Sequence, residues 1–471
     1  MRLALYLALL MLAGGCALGP EYVRPKLGLP AGSDNATRTA PFTALDWWKI
    51  FGDPALDGIE LEALAYSRDL KMAMARVEEA RALARAVFAD RLPAIGLGGD
   101  AARGRTAKQY TQPGDSRIYE AYDGFGLASF ELDLWGRYRR LDEAARAELL
   151  ATVAGRDSVR LSLTADVASL YFRLRTLQAQ TRIAREQLAS YERTCDVYRK
   201  RYRAGYTQEL DLRRIEADRL ATEALLYQRE NEQSKAETAL AVLLGRSPAD
   251  IVRGFSEKGK ALEEFASLPG VPDDLPSDLL ARRPDIRRDE EMLIAANARI
   301  GAARAAFFPS ITLTGQYGFA SPELQDLLTG GANAWRIAGG LTQPVFEGGR
   351  LFALEKAALA RQEQMLAQYE KTVQNAFRET RDALVAGTKS GQALEASLER
   401  ARAMRRSLEL SQKQHARGYI GIIDVLDIQR RSLAAELELS AARQARLDSV
   451  VALCRAMGGG WRETPDAGKL Y

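Results

Sequence analysis

Ile311-Thr312-Leu313-Thr314-Gly315-Gln316-Tyr317-Gly318-Phe319 puts Ile, Leu, Gly, Tyr and Phe on one parity and Thr, Thr, Gln and Gly on the other. A period of two belongs to a β-strand with one apolar and one polar face. After a polar loop from Ser321 to Asn333 the pattern returns, with Trp335, Ile337, Gly339 and Leu341 alternating with Arg336, Ala338, Gly340 and Thr342. The two runs read as a β-hairpin with strands at about 309–320 and 334–344. Strands of roughly 11 residues cross a bilayer when tilted. An earlier hairpin, with strands at about 92–104 and 119–132, flanks a second polar loop from Gly104 to Ser116.

The two hairpins belong to two copies of one unit, a signal to be sought before any fold is assigned. Gly136-Arg137 and Gly349-Arg350, Gly205-Tyr206 and Gly418-Tyr419, and Gly245 and Gly458 are all 213 residues apart. Leu92-Pro93-Ala94-Ile95 and Phe308-Pro309-Ser310-Ile311 match at an offset of 216, so one loop differs by three residues. Repeat 1 is expected over 54–245 and repeat 2 over 284–458, separated by a Pro- and Gly-rich linker at 246–283 that wraps the helical body, with a tail at 459–471. Each copy opens with an amphipathic helix, from about Pro54 to Asp90 and from about Pro284 to Phe307.

Each second strand leads into a proline-free helical run, expected at about 137–204 and 350–417. At 1.5 Å per residue each is roughly 100 Å long. Turns at Gly205, Gly418 and Gly421 return second helices at about 207–244 and 421–457. Taken alone these helices also fit a soluble antiparallel coiled coil. The hairpins narrow the choice, because open strand edges are not tolerated in lipid and four strands do not close a barrel. Several chains must then share one barrel, with apolar faces toward lipid, the Thr, Gln, Arg and Gly faces toward a lumen, and Trp335, Tyr119 and Tyr122 as interface aromatics.

The 471 residues are 47% hydrophobic and 27% charged, a globular balance. A formal charge of +4 with interspersed signs supplies no field for nucleic acid. One histidine and three cysteines in no metal-ligand spacing argue against zinc and against most His-based catalysis. No nucleophile or metal constellation appears, so no enzyme activity, metal or cofactor is expected. Residues 1–15 read as a signal peptide, since the apolar run from Leu3 to Ala13 is too short to span a bilayer. The small residues before Cys16 resemble a bacterial lipobox, with Leu12 one place early, and Ala17 after the cysteine points to the outer membrane. Residues 16–53 are then a lipidated N-terminal extension, with the covalent lipid on Cys16. Cys195 is roughly 15 Å and Cys454 roughly 50 Å above the helical turns, so both are expected to be free.

Cys16-Ala17-Leu18-Gly19-Pro20-Glu21-Tyr22, Trp47-Trp48 with Phe51-Gly52-Asp53-Pro54, and Leu279-Leu280-Ala281-Arg282-Arg283-Pro284-Asp285-Ile286 leading into Phe307-Phe308-Pro309-Ser310 resemble the outer-membrane efflux channels of the TolC and OprM group. The closer resemblance is to the NodT-type lipoprotein branch, and it runs from Cys16 to about Trp461. It implies a mixed all-α plus transmembrane β fold. Each repeat gives one hairpin to a shared trimeric 12-stranded barrel and long antiparallel helices to a periplasmic α-barrel. It also implies a homotrimer anchored in outer-membrane lipid and docked on a periplasmic adaptor and an inner-membrane RND-type pump, as the passive exit duct of a tripartite efflux system. The alternative is a lipid-anchored coiled-coil adaptor without a pore.

Asp424 and Asp427 lie three apart beyond Gly418-Tyr419-Ile420-Gly421 and share a helix face. Ile423-Asp424-Val425-Leu426-Asp427 resembles the aspartate constriction of TolC-type channels, and Asp427-Ile428-Gln429-Arg430 the matching OprM segment. In a trimer these residues imply carboxylate rings at a periplasmic aperture, favouring cations. A carboxylate at Asp424 also suits a helix N-terminus for its own sake. In the other repeat Asp211 and Arg214 stand at the equivalent positions, and Asp211 resembles the partner residue of the TolC-type gate. Ile420 occupies the place of that gate's Arg and His415 the place of its Tyr, so the resemblance does not extend to that latch. His415 reads either as a solvated or packing residue at a helix end or, repeated around a threefold axis, as a source of pH sensitivity.

Overall fold

The computed structural model describes residues 17–27, 40–110, 116–253, 259–265 and 283–460. The expected signal peptide, Cys16, most of the linker and residues 461–471 lie outside the described residues. Helices α1 (Pro54–Tyr66) and α2 (Arg68–Ala89) precede strands β1 (Ala94–Arg105) and β2 (Ile118–Leu132), followed by α3 (Arg137–Arg203), α4 (Glu209–Leu243) and the short α5 (Pro248–Arg253). The second half runs α6 (Pro284–Ala305), β3 (Ser310–Ser321), β4 (Asn333–Thr342), α7 (Arg350–Ala416) and α8 (Ile422–Ala456). Among the described residues no helix is long and apolar enough to cross a membrane.

The repeat is exact where backbone chemistry sets it. Helices α3 and α7 both have 67 residues, and α4 and α8 both have 35. Gly205, Gly418, Gly245 and Gly458 end them at φ of 75°, 78°, 68° and 70°, a region that costs a side chain Cβ contact and suits glycine. Each end closes with the same pair of backbone bonds, for example Tyr206 N–H to the Arg201 carbonyl at 2.8 Å and Tyr419 N–H to the Gln414 carbonyl at 3.0 Å. The first amphipathic run differs from the single helix expected to about Asp90. It breaks at Ser67, whose ψ of 131° is extended. The break lets α1 bury Leu56, Ile59 and Ala63 in the central cluster while α2 climbs beside α3, and Gly245 packs against the Tyr66 carbonyl at the break.

The four strands form one antiparallel sheet in the order β1-β2-β3-β4, leaving β1 and β4 as open edges. Strand β1 begins at Ala94, after Pro93, which has no N–H to give a ladder. The register places Tyr317 opposite Trp335, Gly315 opposite Ile337 and Ile311 opposite Leu341 on one face, with Leu97 and Ile95 of β1 on that same face. Leu97 is 93% and Ile337 80% exposed, so in the single chain this apolar face is bare. Thr312, Thr314, Gln316, Arg336, Asp100, Asp123 and Glu131 fall on the other face. One expectation needs correcting. Tyr122 and Trp335 share the apolar face, but Tyr119 stands three residues before Tyr122 and so lies on the polar one, where its ring covers Gly104. Phe125 lies on the polar face too, filling the space that Gly98 leaves without a Cβ.

Away from the sheet the helices stand in a row of four. Toward the sheet the order is α2, α3, α6, α7, and beyond the middle it is α4, α3, α8, α7. Ala144 and Ala147 meet Ala295 and Ala298, small residues that let α3 and α6 approach closely. Where the two tiers meet, Trp47, Trp48 and Phe51 pack with Tyr171, Phe172, Tyr369 and Met457 in the main core. Asp53 caps α1 through the Ala55 N–H at 3.0 Å and also accepts from the Tyr171 hydroxyl and from the Lys260 N–H. Leu262 and Phe265 join this girdle. Cys454 is free and buried in it, and Cys195 is free and buried in a separate cluster at the far end.

Candidate functional site: the helical tip and the N-terminal strap

The tip has its own small core. Tyr191, Cys195 and Tyr198 on α3 pack against Leu212 and Ile215 of α4 and against Ile422, Val425 and Leu426 of α8. These apolar side chains recur at helical spacing and hold both turns against α3. Asp424 is exposed, and its carboxylate accepts the Gly421 N–H at 3.2 Å, serving the N-terminus of α8. Asp427 is half-buried and ion-paired with Arg431 at 2.9 Å and Arg430 at 3.5 Å. Arg430 also reaches Asp218 of α4 at 3.8 Å, tying α8 to α4 across α3. Burial raises the Asp218 carboxyl against the lowering effect of Arg430. Asp211 accepts the Thr207 hydroxyl at 3.2 Å, and Arg214 is exposed.

His415 is built into a bridge. Its Nδ1 lies 2.9 Å from the Ile420 carbonyl, an acceptor only, so Nδ1 carries the proton and donates. Its Nε2 then accepts the Tyr198 hydroxyl at 2.9 Å. The imidazole therefore joins the α7–α8 turn to α3, its ring edge to edge with that of Tyr198 at a centroid separation of 6.5 Å, and the Arg201 guanidinium lies 5.4 Å from the Tyr198 ring centroid. Sequence reading singled out His415 but missed Tyr198. The available signal was the run Tyr191, Cys195, Tyr198, one apolar stripe of α3; nothing in the spacing told that the stripe would meet the one histidine.

The other end carries a second feature. Residues 17–27 form an extended strap along α6. The Leu18 N–H donates to the Trp135 carbonyl at 3.1 Å and its carbonyl accepts from Arg140 Nε at 3.1 Å. The Pro20 carbonyl accepts from Asn297 at 2.9 Å, and Tyr22 and Arg24 both reach Glu290. Gly19, at φ 104°, crosses Gly301 so closely that a Cβ on Gly19 would stand 2.4 Å from the Gly301 Cα. Ala17 packs on Gly136, between the end of β2 and the start of α3. The residue after Cys16 is thus held at the base of the sheet. In Gly301→Val the added side chain meets the Leu18 carbonyl. We expect strap release, about 1–3 kcal/mol of overpacking, and faster amide hydrogen exchange in peptides spanning residues 17–27, while peptides from the tip stay unchanged.

A membrane-length sheet with one bare apolar face, continued by a row of four helices whose far turns carry acidic residues, defines a class: an outer-membrane channel subunit with a helical tunnel. The family model described as Outer membrane efflux protein matches residues 61–246 and 275–459, one match per repeat. This chain belongs to the outer membrane efflux protein family, and it is the outer-membrane component of an efflux pump. It is 36% identical over 472 residues to the toluene efflux pump outer membrane protein TtgF of Pseudomonas putida, covering 97% of this chain and 96% of that one. It is 35% identical over 458 residues to the probable outer membrane lipoprotein SilC of Salmonella typhimurium, covering 96% of this chain and 97% of that one. Among solved structures, the Campylobacter jejuni CmeC outer membrane channel superposes with a TM-score of 0.90 at 25% identity over 96% of this chain and 97% of that one. The reading as an adaptor without a pore is set aside by these matches.

Proposed function

We propose that three copies of this chain close a 12-stranded barrel and a continuous helical tunnel, a passive exit duct whose periplasmic tip is gated by rings of Asp424 and Asp427. The observation that carries this reading is the four-stranded sheet with two open edges, one bare apolar face and one polar face. Such a sheet is stable in lipid only when its edges pair with those of further copies. Cys16 carries the lipid: the strap delivers its neighbour Ala17 to the base of the sheet, where an acyl chain enters the adjoining leaflet. The tip, with Asp211, Arg214, Arg430 and His415 around its turns at Gly205, Gly418 and Gly421, meets a periplasmic adaptor, and an inner-membrane pump of the RND class drives transport. The chain itself supplies a path and no chemistry.

The deciding experiment is single-channel recording of the full-length protein in planar bilayers beside D424N/D427N. Asparagine keeps the acceptor that caps α8 while removing the charge. Wild type is expected to give a small cation-selective current, and the variant a severalfold larger current with weaker selectivity. Equal selectivity in both would remove the aspartates from the gate, and an absence of current in both would overturn the duct.

A further inference from the structure

The four-helix row holds an open cavity of about 490 Å³ lined from all four helices α2, α3, α6 and α7. A cavity that touches both the first and the fourth helix of a row sits on its concave side. The strap fixes which side that is. On α6 the strap touches Glu290, Asn297 and Gly301, whereas the cavity touches Arg288 and Met292, on the opposite side of a helix of 3.6 residues per turn. On α3 the N-terminal segment meets Thr164 and Tyr171, and the cavity meets Ala151 and Gly155, again on opposite sides. The strap runs along the outside toward the lipid anchor, so the cavity faces the tunnel. This placement rests on the duct reading above.

Its chemistry is unlike that of the tip. Four guanidiniums line it: Arg76, Arg156, Arg288 and Arg361. Arg156 is paired with Asp157 at 2.6 Å and Arg288 with Asp289 at 2.7 Å. Asp289 is fully engaged, since it also accepts from Thr372 at 2.6 Å and Gln368 at 3.1 Å. Arg76 and Arg361 have no carboxylate partner among the described residues; Arg361 donates only to Gln364. Between the charges lie Val159, Met292 and Met365, so the floor is apolar and, through its methionines, adaptable. A cavity of this size with an apolar floor and two spare, planar cationic forks suits a small organic ion with an apolar body and a carboxylate, sulfonate or phosphate head.

We propose that each protomer carries, on the tunnel wall toward the membrane side of the girdle, a binding site for amphipathic organic anions, with Arg76 and Arg361 holding the anionic head and the Val159, Met292 and Met365 floor holding the apolar body. The site offsets, for such cargo, the repulsion of a carboxylate-lined tip. It defines a cargo class that the duct retains on its way out.

The test uses 1-naphthalenesulfonate added to the extracellular side of reconstituted full-length protein, where it enters through the barrel. Half-blocking concentration is read against each protein's own unblocked current. In R76Q/R361Q it is expected to rise by about tenfold or more, equivalent to about 1.4 kcal/mol, and R76K/R361K is expected to recover part of the loss. Inorganic sulfate, which lacks the apolar body, and 1-naphthylmethylammonium, which lacks the anionic head, are expected to block both proteins alike. Equal block of wild type and R76Q/R361Q by the sulfonate overturns the site. If wild type passes no current, the duct reading fails on its own, and equilibrium dialysis of 1-naphthalenesulfonate against the same proteins decides the cavity: a tenfold difference in affinity keeps it, and equal affinity overturns it.

Discussion

Trp47→Ala is expected to destabilise the protein by about 3–5 kcal/mol, the usual cost of removing a large aromatic from a packed core. Trp47 is completely buried, with edge-to-face contacts to Trp48 at 6.1 Å and Phe51 at 6.4 Å. Its indole N–H donates to Thr164 at 3.3 Å, and Gly460, at φ 92°, packs against its ring. The girdle it anchors is where both tiers of the helical row join, so its loss loosens α3 against α7 and α8 together. Thr164 keeps a bond to the Leu161 carbonyl at 3.1 Å, so little of the cost comes from an orphaned hydroxyl. Thermal unfolding followed by far-ultraviolet circular dichroism at one scan rate checks this. Trp335→Ala is the contrast, because Trp335 lies bare on the lipid-facing strand side and its removal leaves the helical signal in place. Equal midpoints for Trp47→Ala and wild type would refute the girdle as the main source of stability.

Glu60→Met is expected to stabilise the protein, increasingly as pH rises. Glu60 on α1 is fully buried, and neither carboxylate oxygen finds a hydrogen bond among the described residues. Burial, with the Asp57 charge second, holds its carboxyl well above the usual range. The group therefore takes up a proton on folding. A raised folded pKa makes stability greatest below the unfolded value of about 4.3 and erodes it as pH climbs toward the folded value. Methionine has similar length, needs no partner and removes both the desolvation cost and the pH slope, a gain of about 1–4 kcal/mol by analogy with other buried charges replaced by apolar groups. The midpoint difference between Glu60→Met and wild type should be larger at pH 8 than at pH 5. A difference that is constant across that range would mean that Glu60 is not the group whose proton is linked to folding.

The tip shows how far spacing alone reaches. Asp424 was legible both as a gate candidate and as a helix cap, and the Gly421 N–H bond assigns it the cap in the single chain while leaving its charge exposed at the turn. The pairing of Asp427 with Arg430 and Arg431 was written in the sequence as i, i+3 and i, i+4 spacings. The Tyr198–His415 bridge was not, because its partners are 217 residues apart and meet only through the packing of α3 against the α7–α8 turn. Tyr119 marks a different failure. Its parity against Tyr122 was countable, and counting it places the two rings on opposite faces of β2.

What the amino-acid sequence determines by itself is local and periodic. A left-handed backbone angle favours glycine, so the glycines 213 residues apart announce matching helix ends. A strand's period of two separates the lipid face from the polar face, and proline marks where ladders begin. What only the tertiary structure decides is which faces of different helices share a space. Arg76, Arg156, Arg288 and Arg361 come from four helices and read in sequence as scattered solvated charges; they converge because the row of helices is concave, and curvature is a property of packing between elements that no single element's periodicity records.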